Sequence, residues 1–198
     1  MYVIIGHYFN KHKSTNPFVR TLVRRYQQIL QHFARLLPVK SVLEVGSGEG
    51  YILTYIREVR ADLYLVGSDI AFEIVREARL REPTAAWCVA MGEFLPFADY
   101  SFDLVIACEV LEHVTEPRYV LQEMRRLSKG FCIITVPEEP LWRILNILRG
   151  QYLRNWGNTP GHIHHWSRKG IVQLVGEYFK IVHVMRVFPW IFVLAAVD

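Results

Sequence analysis

Short apolar runs alternate along this chain with stretches whose apolar residues recur every three or four positions. Val42, Leu43 and Val45 form the first run, broken by Glu44. Further runs lie at 62–67, 85–90, 101–107 and 131–136. Runs that are apolar on both faces suit strands covered on two sides, as in a parallel sheet. The segments at 51–60, 70–81 and 117–127 carry helical spacing instead. Strand and helix in regular alternation predict a doubly wound α/β fold with right-handed crossovers. Ahead of them, Asn16-Pro17 reads as a helix start, a side-chain cap followed by proline in the first turn. Residues 18–37 set Leu22, Tyr26, Ile29, Leu30, Phe33 and Leu37 on one side, and Pro38 ends them.

The pattern changes after Pro137. Residues 140–149 form a helical insert with Leu141, Ile144, Leu145 and Leu148 on one face. An aromatic, glycine-containing loop follows, then a helix from a Ser167 cap to Tyr178. Runs at 179–188 and 190–197, separated only by Pro189, predict an antiparallel pair. The chain reads as one domain over 1–198: an arm and helix (1–37), a core (38–137), a lid-like insert (138–166), and a closing helix with hairpin (167–198).

Composition adjusts this picture in three places. Hydrophobic residues make up 52% of the chain, yet no uncharged run approaches the roughly 20 residues of a membrane span. The opening MYVIIG lacks the charged leader and cleavage site of a signal peptide, so the expected compartment is cytoplasmic. Cys88, Cys108 and Cys132 each fall within or at the end of an expected strand, where cysteine acts as a small buried hydrophobe. No CxxC pair suggests zinc. The net charge of +4 comes from scattered basic residues, which does not call for a nucleic-acid partner.

The first strand runs directly into Gly46-Ser-Gly48-Glu-Gly50-Tyr51. A strand, a glycine turn and a helix make a phosphate or nucleoside cradle, because glycine permits unusual backbone angles and close ligand approach. Asp69 ends the second strand, nineteen residues after Gly50, and a carboxylate there can accept from both hydroxyls of a ribose. As a purely structural residue it would cap the helix starting at Ile70. The other strand ends supply Met91, Gly92 and Glu93, then Cys108, Glu109, Glu112 and His113, then Glu138 and Glu139.

VLEVGSGEG, Asp69 and GEFLPFADYSFDLVIACEVLEHV, in that order, resemble the class I S-adenosylmethionine-dependent methyltransferases, in particular the small-molecule, type 11-like branch. The likeness covers roughly residues 40–137 and is specific to the superfamily rather than to an acceptor. It implies a Rossmann-like seven-stranded sheet, mostly parallel, with an antiparallel last strand and a helical lid after strand five. It also implies S-adenosylmethionine as cofactor. Gly46, Gly48 and Gly50 would line its methionine and ribose, Glu44 would hold the turn or the amino group, and Asp69 would bind the ribose with Ile70 against adenine. The branch often places an acid four residues before its LPF motif. Here that position is Met91, so adenine would rest on Met91 and Gly92, or Glu93 would substitute. Cys108 and Glu109 would approach the methionine amine.

In-line transfer from a sulfonium needs no acid for its neutral thioether leaving group, and positioning supplies much of the rate. A hydroxyl or amine acceptor benefits from a base; His113, His162, His164 and His165 are the candidates. No cysteine or acid stands at ligand spacing beside the HIHH cluster, so no metal is expected. The insert is the expected acceptor lid through Trp142, Tyr152, Trp156 and Trp166, with arginines among them. Its acceptor would be a small or lipid-like molecule, met in one variant of the reading at a membrane surface through weak contact. Two alternatives stand beside it. One is a non-catalytic module of the same fold, motivated by Met91. The other is a nicotinamide-dependent oxidoreductase, which fits less well because the G-x-G-x-x-G fingerprint is incomplete at Tyr51. Nothing in the sequence specifies an oligomer.

Overall fold

A computed structural model describes residues 11–197. The expected arm at 1–15 therefore lies mostly outside the described residues; its last part includes a single 3-10 turn, Lys11–Lys13. Helix α1 (Pro17–Leu36) follows, and the Asn16 side chain accepts from the Phe18 and Val19 N–H groups at its start. Then come β1 (Ser41–Val45), α2 (Tyr51–Arg57), β2 (Tyr64–Asp69), α3 (Phe72–Arg81), β3 (Ala86–Val89) and β4 (Phe102–Cys108). The remainder is α4 (Pro117–Leu127), β5 (Ser128–Pro137), α5 (Leu141–Leu148), α6 (Arg168–Gly176), β6 (Lys180–Val187) and β7 (Trp190–Ala196).

The seven strands form one sheet in the order β3-β2-β1-β4-β5-β7-β6. Neighbours from β3 to β5 are parallel, whereas β7 runs antiparallel to both β5 and β6. The order reverses between β1 and β4, which places the crevice of a doubly wound sheet beyond the carboxyl ends of those two strands. Apolar residues fill both faces. One core joins α4 and α6 to the sheet through Val120, Leu121, Met124, Ile171 and Val175. The other joins α1 and α2 through Tyr26, Leu30, Phe33, Leu53 and Ile56.

Two boundaries differ from the periodicity for physical reasons. The second strand reaches through Asp69, and α3 begins only at Phe72 with Ala71 at its cap position. Asp69 is therefore not a helix cap. The fifth strand begins three residues before the apolar run, at Ser128, because Ser128 pairs with Phe102 across a register shift. Hydrogen bonding of the ladder extends the strand where hydrophobicity does not.

Candidate active site

The turn after β1 has a left-handed backbone at all three glycines, with φ of +66°, +52° and +83° at Gly46, Gly48 and Gly50. The Ser47 N–H donates to the Ser68 carbonyl (2.8 Å) and the Gly50 N–H to the Ser47 carbonyl (3.0 Å), closing the turn against β2. The missing side chains do not all make room for a ligand, as the sequence suggested. A Cβ at Gly46 would lie 2.6 Å from Val110 Cγ2, and one at Gly50 2.9 Å from the Trp87 ring. At those two positions glycine lets neighbouring protein pack against the turn.

Asp69 braces this turn. Its Oδ2 accepts from the Gly48 N–H (2.9 Å) and its Oδ1 from the Ala71 N–H (3.0 Å). Each carboxylate oxygen retains acceptor capacity toward a ligand. Glu44 sits one layer deeper and is buried. Burial, reinforced by the Asp69 charge, holds its pKa well above the usual carboxylate range, while the Leu53 N–H opposes this. Its Oε2 and the buried Ser47 Oγ have no hydrogen-bond partner among the described residues. Ile70 and Met91 are exposed at the ends of β2 and β3, with Phe94 beside them. The Phe94 N–H donates to the Met91 carbonyl (3.0 Å), which tightens the Met91–Phe94 bend that also carries Gly92 and the half-buried Glu93.

A cleft joins Glu44, the glycine turn, Tyr51, Cys108 and Glu109 to Lys11, His12 and Tyr26. From sequence the last three read as parts of the arm and of the apolar side of the first helix, not as site residues. Lys11 forms an ion pair with Glu109 and stands over the rings of Trp190 (4.9 Å) and Tyr26 (5.2 Å). Burial lowers its pKa to about 8 against the raising influence of Cys108, Glu112 and Glu49. His12 stacks on Tyr51 with centroids 4.2 Å apart, and its Nδ1 meets the Tyr55 hydroxyl at 2.8 Å. The Tyr26 hydroxyl and Thr135 Oγ1 share a buried hydrogen bond of 2.7 Å. Burial, with Glu44 next in importance, pushes the Cys108 thiol up to about 12, so it is no thiolate nucleophile. The alternation of basic and aromatic residues at 7–13 was the available signal for the arm.

The histidines divide. His113 and His162 face one another edge-on with centroids 4.8 Å apart. His113 Nδ1 lies 3.0 Å from the Gly161 carbonyl, which only accepts, so this nitrogen carries the proton. His162 is buried and stacks toward Trp142. Burial, then the nearby His113, lowers its pKa to about 3. His164 Nε2 meets the Thr115 carbonyl and its ring stacks on Trp166. His165 lies 3.6 Å from Glu139, with its own pKa lowered chiefly by burial. The expectation that no acid accompanies these histidines is corrected by the fold. Glu112 is brought to His113 and His162, with ligand-capable atoms of all three within 4.8 Å of one another.

The expected acceptor aromatics do not form one wall. Trp166 packs into the α4–α6 core. Trp156 is 77% exposed and turned to solvent. Tyr152 precedes it across a 3-10 turn with a left-handed backbone. Only Trp142 reaches the cleft side, beside His162 and Trp190, with its Nε1–H donating to Thr159 Oγ1 (2.9 Å). The physical reason is that the insert satisfies itself. Asn146 Nδ2 donates to the Gly157 carbonyl (2.8 Å) and Arg143 Nε to the Trp156 carbonyl (3.0 Å), folding the loop back on α5.

Residues 43–134 match the family model described as a methyltransferase domain. A demethylmenaquinone methyltransferase from Renibacterium salmoninarum is 30% identical over 132 residues, covering 66% of this chain and 55% of that protein. A ubiquinone biosynthesis O-methyltransferase from Cereibacter sphaeroides is 28% identical over 134 residues, covering 64% and 53% respectively. The chain thus spans about half the length of these curated relatives. In fold it matches magnesium protoporphyrin IX methyltransferase from Synechocystis, solved with S-adenosylhomocysteine bound, at a TM-score of 0.69 and 19% identity over 93% of this chain and 89% of that one.

Proposed function

We propose that this chain, whose residues 43–134 are a class I S-adenosylmethionine-dependent methyltransferase domain of the type 11 branch, transfers a methyl group from S-adenosylmethionine to a small, apolar-bodied acceptor. The observation that carries the reading is the glycine turn braced by Asp69 at the switch point of the sheet, with Ser47 Oγ and Glu44 Oε2 buried and unpartnered among the described residues. Such polar atoms are costly unless a ligand or water satisfies them, so the cradle fits a cofactor that carries hydroxyls and an amine. Gly46, Gly48 and Gly50 would line it, Asp69 would hold the ribose diol, and Ile70, Met91 and Gly92 would cover the adenine. Cys108 and Glu109 would stand toward the amino acid end. Bound there, the cofactor supplies an electrophilic methyl on a sulfonium.

The chain's own part is positioning and, for a hydroxyl or amine acceptor, proton removal. His162, with its pKa near 3, is too weak a base for that task. His113 is the base of this reading, because its Nδ1–H is committed to the Gly161 carbonyl and Nε2 carries the lone pair. Trp142, half-buried and stacked toward the neighbouring His162, offers flat apolar surface on that side. The names of the relatives point to quinone precursors, and that of the structural neighbour to a porphyrin; an acceptor of such flat, apolar shape suits this surface. Lipid-like acceptors are a subset of the same class.

Calorimetry with S-adenosylhomocysteine tests the site. The wild type should bind, and Asp69→Ala should weaken binding at least about tenfold, the equivalent of about 1.4 kcal/mol. Wild-type protein that does not bind, or an alanine variant that binds equally well, would sink the assignment.

A further inference from the structure

We propose that Glu112, His113 and His162 form a binding site for a divalent transition-metal cation at the acceptor side of the cleft. The three come from two loops that the fold clamps together. Glu112 and His113 follow β4, while His162 follows α5. The Ile163 N–H donates to the Glu112 carbonyl (2.9 Å), and His113 Nδ1–H donates to the Gly161 carbonyl (3.0 Å), so each loop holds the other.

Glu112 supplies the second, independent observation. It is 1% exposed, and neither carboxylate oxygen has a hydrogen-bond partner on another described residue. An ionisable group in that position calls for a cation or a proton. Lys11 acts on Glu112 through its charge, but its ammonium is ion-paired with Glu109 and gives the Glu112 carboxylate no hydrogen bond. The ligand-capable atoms of Glu112, His113 and His162 lie within 4.8 Å of one another. A metal with bonds near 2.1 Å wants its ligands about 3.4 Å apart, so a side-chain rotation of roughly 1 Å completes the site.

The ligand set argues the class of metal. Two imidazoles and one carboxylate favour zinc or a neighbouring first-row ion over magnesium or calcium, which prefer all-oxygen sites. The His113–Gly161 hydrogen bond is the outer-shell contact that fixes a ligating histidine's tautomer and leaves Nε2 toward the metal. Three protein ligands leave at least one coordination position open, as in reactive rather than structural sites. Its use rests on the methyltransferase reading: with the metal bound, His113 Nε2 is a ligand rather than the base, and an acceptor bearing a hydroxyl would fill the open position beside Trp142, its oxygen acidified by the metal and its proton passing to water. The existence of the site does not depend on that reading.

The test uses the full chain, freed of metal with a chelator and titrated with Co²⁺ and Zn²⁺. The wild type should take up one equivalent and show visible cobalt absorption. Glu112→Gln and His162→Gln should each weaken uptake on the order of 100-fold, while His183→Gln, on the exposed edge of the sheet, should leave it unchanged. Uptake below a tenth of an equivalent, or equal uptake by both site variants, overturns the proposal. Should the variants fail to fold, the wild type decides it: a cobalt spectrum without ligand-field bands from nitrogen donors, or no thermal shift with Zn²⁺, overturns it as well. Calorimetry of the metal-free protein with S-adenosylhomocysteine separates the two readings, since cofactor binding without metal uptake would leave the cradle standing and remove only the metal.

Discussion

Gly46→Ala would meet two separate obstacles, and a second substitution can tell them apart. The first is the backbone: φ is +66°, a conformation that costs an L-residue about 1–2 kcal/mol. The second is space: the new methyl would stand 2.6 Å from Val110 Cγ2, well inside contact distance. Overpacking of this kind costs about 1–3 kcal/mol. The single variant should therefore lose about 2–5 kcal/mol, a large share of the 5–15 kcal/mol available to a typical domain. Val110→Ala alone should lose about 1 kcal/mol, since the side chain is half-buried. In the double variant the clash disappears and the backbone cost stays. Urea unfolding of the four proteins should yield a favourable coupling of about 1–3 kcal/mol, larger than the few tenths expected of independent sites. A coupling near zero would refute the steric argument and return the space at Gly46 to the ligand. A Gly46→Ala protein as stable as wild type would refute the backbone argument too.

Tyr26→Phe removes one partner of the buried hydrogen bond to Thr135 and should cost about 1 kcal/mol in urea unfolding, because the buried threonine hydroxyl keeps only the weak Cys108 thiol as a side-chain partner. Glu44 has a folded pKa raised above the ordinary 4.5. Its contribution is therefore intact below that ordinary value and is lost as pH rises toward the folded one. Glu44→Gln, which cannot ionise, should gain on wild type as pH climbs from the ordinary value to the folded one, by about 1.4 kcal/mol for each pH unit crossed; parallel pH profiles would contradict this. Lys11→Ala removes a side chain that lines the cleft and pairs with Glu109, so stopped-flow fluorescence should record S-adenosylhomocysteine association at least about threefold faster, and an unchanged rate would show that Lys11 does not obstruct the path.

The strands were legible because short apolar runs recur in regular alternation with helical spacing, and the hairpin because Pro189 leaves little room for any other connection. The glycine turn and Asp69 were legible as a pair, though not their mutual bond, since the Gly48 N–H that reaches Asp69 is a backbone group and leaves no mark in the sequence. Lys11 read only as part of the arm because its place at the site comes from long-range neighbours, Glu109, Tyr26 and Trp190, that only the fold assembles. The Glu112–His162 proximity was hidden for the same reason. Spacing rules detect ligands on one element, whereas these residues lie on two loops that meet through backbone hydrogen bonds. The insert misled in the opposite direction. Aromatic residues close in sequence suggested one surface, and the folding back of 155–159 on α5 sends Trp156 outward and leaves Trp142 alone near the cleft.

The position of β7 bears on how the molecule is made. β7 is the last strand in sequence, yet it lies inside the sheet, hydrogen-bonded to β5 on one side and β6 on the other. During synthesis the chain from β1 to β5 can pair as it emerges, but the outer edge of β5 stays bare until residues 190–196 leave the ribosome. Those residues are almost wholly apolar, and Ile191, Val193 and Ala195 then enter one core while Trp190, Phe192 and Leu194 enter the other. A single late segment thus closes both layers at once. Such long-range pairing is slow, and an open strand edge next to apolar surface invites association with other chains. A ribosome that stalls anywhere between β5 and this stretch would therefore leave a nascent chain in need of a chaperone.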